Sequence, residues 1–292
     1  MRAISILTGR NLRLFFRDRA GVFFSLLSAL ILIALYALFL GNLQVDNLTE
    51  RFPNAQSSDI HWFVNAWVFA GITMITTLTT ALAALTVFVD DRASGRFSDF
   101  LVSPIRRAEL ILGYLLSSFL ISLTMTLVIL VVGQVYLLTQ GSPTMTVSQA
   151  AETLGYVALS SVAFAALSSF VVTFLRSSGA FAALSTVVGT VIGFLAGAYI
   201  PVGTLPEAIV NGINALPFAQ SAMLIRTPMT AQALSALAGD EGPSVDAVKT
   251  FYGISARVGE FDVSPGFAVA VLVAVFVLFA ALGARQLARR IR

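Results

Sequence analysis

Residues Leu110 to Leu138 read LILGYLLSSFLISLTMTLVILVVGQVYLL, without a single Asp, Glu, Lys or Arg. The hydrocarbon core of a bilayer is roughly 30 Å thick, and about 20 apolar residues in an α-helix cross it. A longer stretch spans the bilayer with some tilt or extends beyond the lipid. Strands of a membrane barrel would instead alternate apolar and polar residues over about ten positions. The stretch therefore predicts a membrane-spanning helix.

Five further blocks of the chain are equally free of charge. They are Ala20–Gly41, Trp62–Val89, Thr153–Leu175, Ala180–Tyr199 and Gly266–Ala284. Of the 292 residues, 57% are hydrophobic and only 11% are charged, whereas about a quarter of a soluble domain is charged. We therefore predict an all-α integral membrane protein with six transmembrane helices, forming a single domain over residues 1–292.

Basic residues are concentrated on one side of this predicted bundle. Of the 18 basic residues, 14 lie in the N-terminal segment, the loop after the second span, the turn after the fourth span or the C-terminal tail. The exceptions are Arg51, Arg226, Lys249 and Arg257. The positive-inside rule assigns that side to the cytoplasm. We therefore expect a multi-pass protein in the plasma membrane of a bacterium, with both termini in the cytoplasm and membrane lipids around it.

The segments that flank the first span have contrasting patterns. Within residues 1–19, apolar residues alternate with arginines at helical spacing. This pattern predicts an amphipathic helix that lies on the cytoplasmic membrane surface, and it is not typical of a signal peptide. The stretch Asn42–His61 is polar, which predicts a loop on the external side.

The region between the fifth and sixth spans divides into two parts. Pro201–Pro228 is apolar but is interrupted by Pro201, Pro206 and Pro217. Irregular backbone at membrane depth has to be shielded by protein, so this part predicts a pair of short re-entrant helices. Met229–Pro265 is more polar, and we interpret it as an external insertion.

Few residues are available for catalysis or metal binding. The chain has no cysteine and one histidine, His61, which excludes thiolate sites and multi-histidine metal centres. A phosphate-binding P-loop needs glycines at fixed positions before its lysine, but Val248 and Pro243 occupy those positions before Lys249, the one lysine. We therefore expect no enzymatic activity, cofactor or metal in this chain, and no nucleic-acid partner.

The loop between the second and third spans carries the clearest functional pattern. Residues 90–110 read DDRASGRFSDFLVSPIRRAEL. Phe97, Phe100 and Leu101 follow helical spacing between charged residues, and Pro104 ends the pattern. This predicts a short amphipathic helix on the cytoplasmic face. Its apolar side has two candidate partners: the chain's own helices with lipid headgroups, or a groove on a cytoplasmic protein.

This loop resembles that of permeases of the ABC-2 type transporter family, the membrane subunits of type-2 ABC exporters. In that family an acidic residue, three further residues and a glycine precede a short helix that ends in proline and a basic pair. The matching residues here are Asp91, Gly95, Leu101, Pro104, Arg106 and Arg107, followed by Gly113. Asp91 and Arg96 stand where the family usually has Glu and Thr. The series Pro201, Pro206, Pro217 and Arg226 also resembles the family's external re-entrant segment.

The resemblance implies a permease subunit that pairs with a second, identical or homologous, permease subunit and with two ATPase subunits, which bind ATP and Mg. The complex would hydrolyse ATP and export an amphipathic, lipid-like or drug-like substrate. The loop helix would couple the permease to the ATPase. Its candidate coupling residues are Asp91, Arg92, Gly95, Arg96, Phe97, Phe100, Leu101, Pro104, Arg106 and Arg107. The alternatives are a secondary carrier or channel without an ATPase, and a non-transporting membrane scaffold or immunity protein.

Two residue patterns within the spans, one of glycines and one of threonines, each have a structural and a functional interpretation. Gly189, Gly193 and Gly197 lie four residues apart in the fifth span and allow another backbone to approach closely. That backbone belongs either to the same subunit or to a second subunit, and we predict that the glycine face packs at or near the dimer axis. The second span carries five threonines, whose hydroxyls either bond to their own helix or line a polar pathway. They are Thr73, Thr76, Thr77, Thr79 and Thr80.

The arginine distribution predicts that Asn54 and Ser244 face the outside. Because the chain lacks cysteine, the single substitutions Asn54→Cys and Ser244→Cys can be labelled without background. A membrane-impermeant thiol reagent should label both variants in intact cells. Labelling that requires permeabilised cells would contradict the orientation.

Overall fold

A computed structural model describes residues 2–97 and 105–290, and most of them are helical. The helices are α1 (Arg2–Arg17), α2 (Arg19–Ser25), α3 (Leu27–Leu35), α4 (Gly41–Arg51), α5 (Ser57–Ala83), α6 (Thr86–Ala93), α7 (Arg107–Thr139), α8 (Val147–Val172), α9 (Ser178–Leu195), α10 (Glu207–Asn214), α11 (Pro217–Ala238), α12 (Pro243–Phe251) and α13 (Pro265–Arg290). Within the described ranges, six helical stretches are long and apolar enough to cross a membrane. The predicted all-α class with six spans is therefore confirmed.

The six candidate spans overlap the predicted blocks. They are Leu27–Arg51, Ser57–Ala93, Ala108–Thr139, Val147–Val172, Ser178–Leu195 and Pro265–Gln286. With an even number of spans, both ends of the described chain lie at one end of the bundle, which we call the basic end. The other is the opposite end.

The first span differs from its prediction at both ends. Asp18 accepts a hydrogen bond from the Gly21 backbone N–H at 3.0 Å and so caps the separate short helix α2. The span proper begins at Leu27. At the other end, the predicted loop Asn42–His61 is wrong, because α4 continues the helix to Arg51 and α5 begins at Ser57. Polarity indicates which residues meet water, but it does not end a helix.

A π-helical turn, Tyr36–Leu40, joins α3 to α4 within this span. The Gly41 N–H closes the turn by donating to the Tyr36 carbonyl. A Cβ added at Gly41 would lie 2.7 Å from that carbonyl oxygen. Glycine is therefore the residue that accommodates this turn without a steric clash.

Helix α5 forms the centre of the bundle. It packs against α7, α8 and α11, and Phe63, Trp67 and Met74 are fully buried. In its most apolar window 78% of residues are buried, compared with 22% for the first and sixth spans and 17% for the fifth. The first, fifth and sixth spans are therefore outer helices, with flanks free to meet lipid or another protein.

The threonine hydroxyls of α5 are used within the helix. Thr73 donates to the Phe69 carbonyl at 2.7 Å, and Thr80 donates to the Thr76 carbonyl at 2.6 Å. Thr76, Thr77 and Thr79 bond in the same way to carbonyls three or four residues earlier. Such back-bonding satisfies a hydroxyl inside an apolar bundle. Since four of the five side chains are also buried, the stripe does not line an open pathway.

At the opposite end, three prolines introduce short or bent elements. Pro201 precedes a turn of 3₁₀-helix, Pro206 precedes α10, and Pro217 is the first residue of α11. Helices α10 and α11 form an angle of 84°. Proline favours the first turn of a helix, where its missing N–H would have no partner.

The predicted boundary between Pro201–Pro228 and Met229–Pro265 is not present, because α11 passes through Pro228 and ends at Ala238. The chain then forms α12 and a hairpin of strands β1 (Ala256–Val258) and β2 (Phe261–Val263), in which Arg257 pairs with Asp262. Val245 and Val248 are buried. This region therefore packs onto the bundle as part of its core.

The glycines of the fifth span are covered by their own chain. A Cβ added at Gly193 would overlap the ring of Tyr199, and one added at Gly189 would lie 2.9 Å from Ser28 Oγ. Gly197 lies beyond the end of α9 and has a φ of +58°, a conformation that favours glycine. Packing within the subunit, instead of the predicted contact at the dimer axis, therefore accounts for Gly193.

We predict that Gly193→Leu lowers the free energy of unfolding by about 1–3 kcal/mol, as overpacking does, because the new side chain displaces Tyr199. Thermal unfolding of the purified protein measures the loss. Adding Tyr199→Ala should restore most of the stability. Gly179→Leu is the control, because a Cβ added there meets no atom within 4 Å. If the double variant stays as unstable as Gly193→Leu, the glycine contacts something other than Tyr199.

Candidate functional site

At the basic end, α1 lies against the start of α7. A Cβ added at Gly113 would lie 2.8 Å from the Leu7 Cβ, so the glycine lets the two helices approach closely. Asn11 donates to Ser117 Oγ at 3.2 Å, and the Thr8 hydroxyl lies 3.4 Å from the Gly113 carbonyl. The N-terminal helix is therefore attached to the bundle through both packing and polar contacts.

Asp91, near the end of α6, is the centre of a buried polar cluster. Arg10 donates to both of its carboxylate oxygens, each at 2.7 Å, and the Tyr114 hydroxyl donates to it at 2.7 Å. The Asp91 side chain is 1% exposed and that of Arg10 is 28% exposed. Two parallel bonds from a guanidinium to a carboxylate fix geometry as well as charge. The cluster therefore joins α1, α6 and α7 at a defined angle.

The opposite charges of Arg10 and Asp91 stabilise each other within the cluster. The hydrogen bond to Asp91 raises the pKa of Arg10 above its ordinary value, against the opposing effect of partial burial. A buried carboxylate is tolerated when its charge is paired and its lone pairs are bonded. Arg96 adds a weaker contact, with its Nη1 3.6 Å from Asp91 Oδ1 and its side chain 57% exposed.

The neighbouring residues attach α6 to the turn between the fourth and fifth spans. Arg92 donates to the Thr173 carbonyl at 2.8 Å and to the Leu175 carbonyl at 3.1 Å. The Ser178 hydroxyl donates to Asp90 at 2.8 Å. Carbonyls at a helix C-terminus have no partner within the helix, and an arginine nearby can bind them. Arg92 supplies this cap to α8.

After α6 the backbone turns at Gly95, where φ is +78°. Phe97 then points inwards and is 9% exposed. Its ring lies 5.7 Å from that of Phe88, which in turn lies 5.1 Å from that of Tyr114. Gly95 therefore allows a tight turn of the backbone, and Phe97 packs against its own subunit, the first of the two partners considered for the apolar side of the loop.

The central part of the predicted coupling helix, including Phe100, Leu101 and Pro104, lies outside the described residues. The next described residue is Ile105. The Arg106 backbone N–H donates to Glu109 at 3.1 Å, which caps the start of α7, and the Arg106 side chain is exposed. Arg107 is the first residue of α7. The structure therefore defines both flanks of the loop.

Two residues of the cluster were missed as site residues by the sequence analysis. Arg10 and Tyr114 lie 81 and 23 positions away from Asp91 in the chain. Arg10 was counted among the basic residues, and Tyr114 was counted within a span. Asp91 itself is predicted to couple the permease to the ATPase, but the structure buries its side chain. No local pattern indicates a pair over such a separation.

A groove between the first and fifth spans is the second notable feature. It has a volume of about 660 Å³. Its walls combine hydroxyl groups with aromatic rings, and no charged side chain is among the described residues that line it. The hydroxyl groups belong to Ser28, Ser185, Thr186 and Thr190, and the rings belong to Phe24, Phe194 and Tyr199.

Comparison with known proteins supports the resemblance drawn from the loop. The family model described as ABC-2 type transporter matches residues 2–227. The match covers α1, the Asp91 cluster, the predicted coupling loop and the groove, and it ends just before Pro228 in α11. No curated protein matches the chain. The predicted family is confirmed by the match.

We predict that Asp91→Asn lowers the free energy of unfolding by about 3 kcal/mol, since removing one partner of a buried ion pair leaves the other uncompensated. Thermal unfolding of the purified protein measures this loss. Arg96→Gln is the matched control and should change it by less than about 1 kcal/mol, as for an exposed pair. Equal losses in the two variants would contradict the assignment of Arg10 and Tyr114 as the principal partners.

Proposed function

Because the chain belongs to the ABC-2 type transporter family, it is a membrane transporter permease, and we propose that it is the membrane subunit of an exporter driven by a separate ATPase. The basic end would face the cytoplasm, where ATP is available, and the membrane would be the plasma membrane of a bacterium. The observation that carries the proposal is the way α6 is held. It leads directly into the predicted coupling loop and is attached to four other helices of the permease.

We propose that force from the ATPase passes through α6. The Asp91 cluster attaches this helix to α1 and α7, and Arg92 attaches it to the end of α8. Asp90 contacts Ser178, the first residue of α9, and α9 forms one wall of the groove. Displacement of the loop would therefore reach the groove through short polar contacts and packed rings.

The candidate coupling residues fall into two groups: those that contact their own chain and those that we propose to contact the ATPase. Asp91, Arg92 and Phe97 contact their own chain and would act as positioning residues. Phe100 and Leu101 remain our proposed anchors in the ATPase, because buried apolar side chains dominate such contacts. Arg96 and Arg106 are exposed and would form charge pairs at the rim, with Arg107 beside them. Such pairs set orientation more than affinity.

A second permease subunit, identical or homologous, would face the outer side of the first and fifth spans. Thr186 and Thr190 are exposed on α9, and their hydroxyls bond back to the helix. Val187 and Val191 are exposed on the same helix. A helix that presents both hydroxyls and apolar side chains on its outer side suits contact with another helix as well as with lipid.

We propose an amphipathic substrate, lipid-like or drug-like, that moves along the groove between the first and fifth spans. The aromatic rings would contact its apolar part, and the hydroxyls would bond to its polar part. An ion-selective pore would normally carry rings of charged side chains. The uncharged lining favours the amphipathic substrate over a channel for small ions.

We predict that Leu101→Glu leaves the permease folded but releases the ATPase, because a charge is placed on the apolar face that enters the partner's groove. The measurement is the amount of ATPase that co-purifies with the permease. Val147→Glu is the matched control, since it adds the same charge at the opposite end, where Val147 is 88% exposed. The control should retain the ATPase.

The same preparations separate the alternatives. In reconstituted vesicles the control should show hydrolysis stimulated by amphipathic compounds, and Leu101→Glu should not. A Leu101→Glu protein that holds its ATPase and transports normally would refute the coupling role. Transport without any ATPase would favour a secondary carrier or channel, and stimulation by small inorganic ions alone would refute the substrate class. Absence of both ATPase binding and transport would favour the scaffold.

A further inference from the structure

Arg226 on α11 is among the largest fully buried side chains of the described residues. It lies at the opposite end of the bundle and is 1% exposed. Its Nη2 donates to the Ala196 carbonyl at 2.9 Å and to the Gly197 carbonyl at 2.7 Å, and its Nη1 donates to the Gly253 carbonyl at 3.3 Å. The guanidinium therefore joins the end of α9 to the turn after α12.

The space around this guanidinium is formed by glycines and an aromatic ring. A Cβ added at Gly71 in α5 would lie 3.6 Å from Nη2, and one added at Gly253 would lie 2.9 Å from Nη1. Gly197 lies beside the same nitrogens. The guanidinium carbon is 5.4 Å from the centre of the Trp67 ring, a favourable cation–π distance. Three separate parts of the chain therefore lie against the guanidinium, and at Gly253 the absence of a side chain leaves room for it.

The charges around Arg226 favour a cation that binds the C-terminal end of α9. No carboxylate of the described residues forms an ion pair with Arg226, and its Nε has no hydrogen-bond partner among them. Burying a charge is costly unless the surroundings compensate it. The compensation here comes from the carbonyls at the C-terminus of α9, where the helix dipole places negative charge. An apolar side chain would fill the space but could not bind these carbonyls.

The segment that Arg226 holds leads directly to a wall of the groove. Tyr36, in the first span, donates to the Ala198 carbonyl at 3.3 Å and to the Tyr199 carbonyl at 3.2 Å. The Tyr199 side chain folds back along α9, where its hydroxyl donates to the Gly189 carbonyl at 3.1 Å. Its ring covers Gly193 and lies 5.0 Å from the ring of Phe194. The position of Tyr199 in the groove therefore depends on the backbone at residues 196–199.

We propose that Arg226 is a positioning residue for transport: it fixes residues 196–199 so that Tyr199 lies in the groove and restricts it at the opposite end. This inference rests on the proposed function, because the groove has to be the substrate path. Loss of the Arg226 contacts frees the carbonyls of Ala196 and Gly197. Tyr199 then leaves Gly193, and water enters the groove from that end.

Thiol labelling tests the proposal without an ATPase or a substrate. The full chain with Thr190→Cys is placed in lipid nanodiscs, where both membrane faces are accessible, and a water-soluble maleimide is the probe. Adding Arg226→Gln should increase the labelling rate about tenfold, the factor expected for losing one hydrogen bond to a charged group. Arg226→Lys keeps the charge but lacks the planar fork of donors, so its rate should lie between the two.

Two further variants keep the test decisive if Arg226→Gln fails to fold. Tyr36→Phe removes the hydroxyl that donates to the carbonyls of Ala198 and Tyr199, and it should also increase labelling at Thr190→Cys. Arg257→Gln is the matched control, because Arg257 is an exposed arginine at the same end, paired with Asp262. It should leave the rate unchanged. A cysteine at the buried position Ser161 reports general loosening of the bundle and should stay unlabelled in every variant.

Unchanged labelling at Thr190→Cys in folded Arg226→Gln, or in Tyr36→Phe when Arg226→Gln does not fold, would overturn the proposal. A parallel increase at Ser161→Cys would overturn it as well, since the bundle as a whole would then have loosened. A Leu101→Glu protein that holds its ATPase and transports normally would refute the coupling role, and a Val147→Glu control that binds no ATPase would refute the proposed function, but neither result would alter these labelling rates. The two hypotheses can therefore fail separately.

Discussion

The constraint that shapes this protein is the need to satisfy every backbone N–H and C=O group inside a bilayer, where water is not available as a partner. Continuous helices meet it over most of the described chain. The places where helices end are the exceptions, and there arginine supplies the missing donors. Arg92 binds carbonyls at the end of α8, and Arg226 binds carbonyls at the end of α9. The chain thus uses the same chemical solution at both ends of the bundle.

These two arginines lie near opposite ends of one helix. The start of α9 is held at Ser178 by Asp90, next to Arg92, and its end is held by Arg226 and Tyr36. Between these points its outer side is largely exposed. A helix fixed at its ends and free along its flank moves as a rigid body when either end is displaced. Under the proposed coupling, this arrangement would carry a displacement at the basic end to the wall of the groove.

Much of the fold could be predicted from the sequence, because charge-free blocks of about 20 residues are a strong signal. The loop at Asp90–Leu110 could also be recognised, since its apolar residues follow helical spacing. The continuation of the first span through Arg51 could not, because polar residues such as those of α4 do not by themselves predict a helix. Arg226 was counted as an external charge, although its burial depends on carbonyls that no residue pattern reveals. Likewise, the pairing of Asp91 with Arg10 depends on how distant helices pack.

The π-helical turn at Tyr36–Leu40 has a consequence for the angular phase of the first span. Eight residues separate Tyr36 from Gln44, and in a regular α-helix this spacing overshoots two full turns by about 80°. The wider turn removes most of that offset, so both side chains face the bundle and are buried. Gln44 can then accept a hydrogen bond from the Tyr252 hydroxyl at 3.2 Å. The extra residue in the π-helical turn thus rotates α4 about the helix axis relative to α3. The helix remains continuous, but the side chains of α4 that face the bundle are different from those that a regular α-helix would turn inwards.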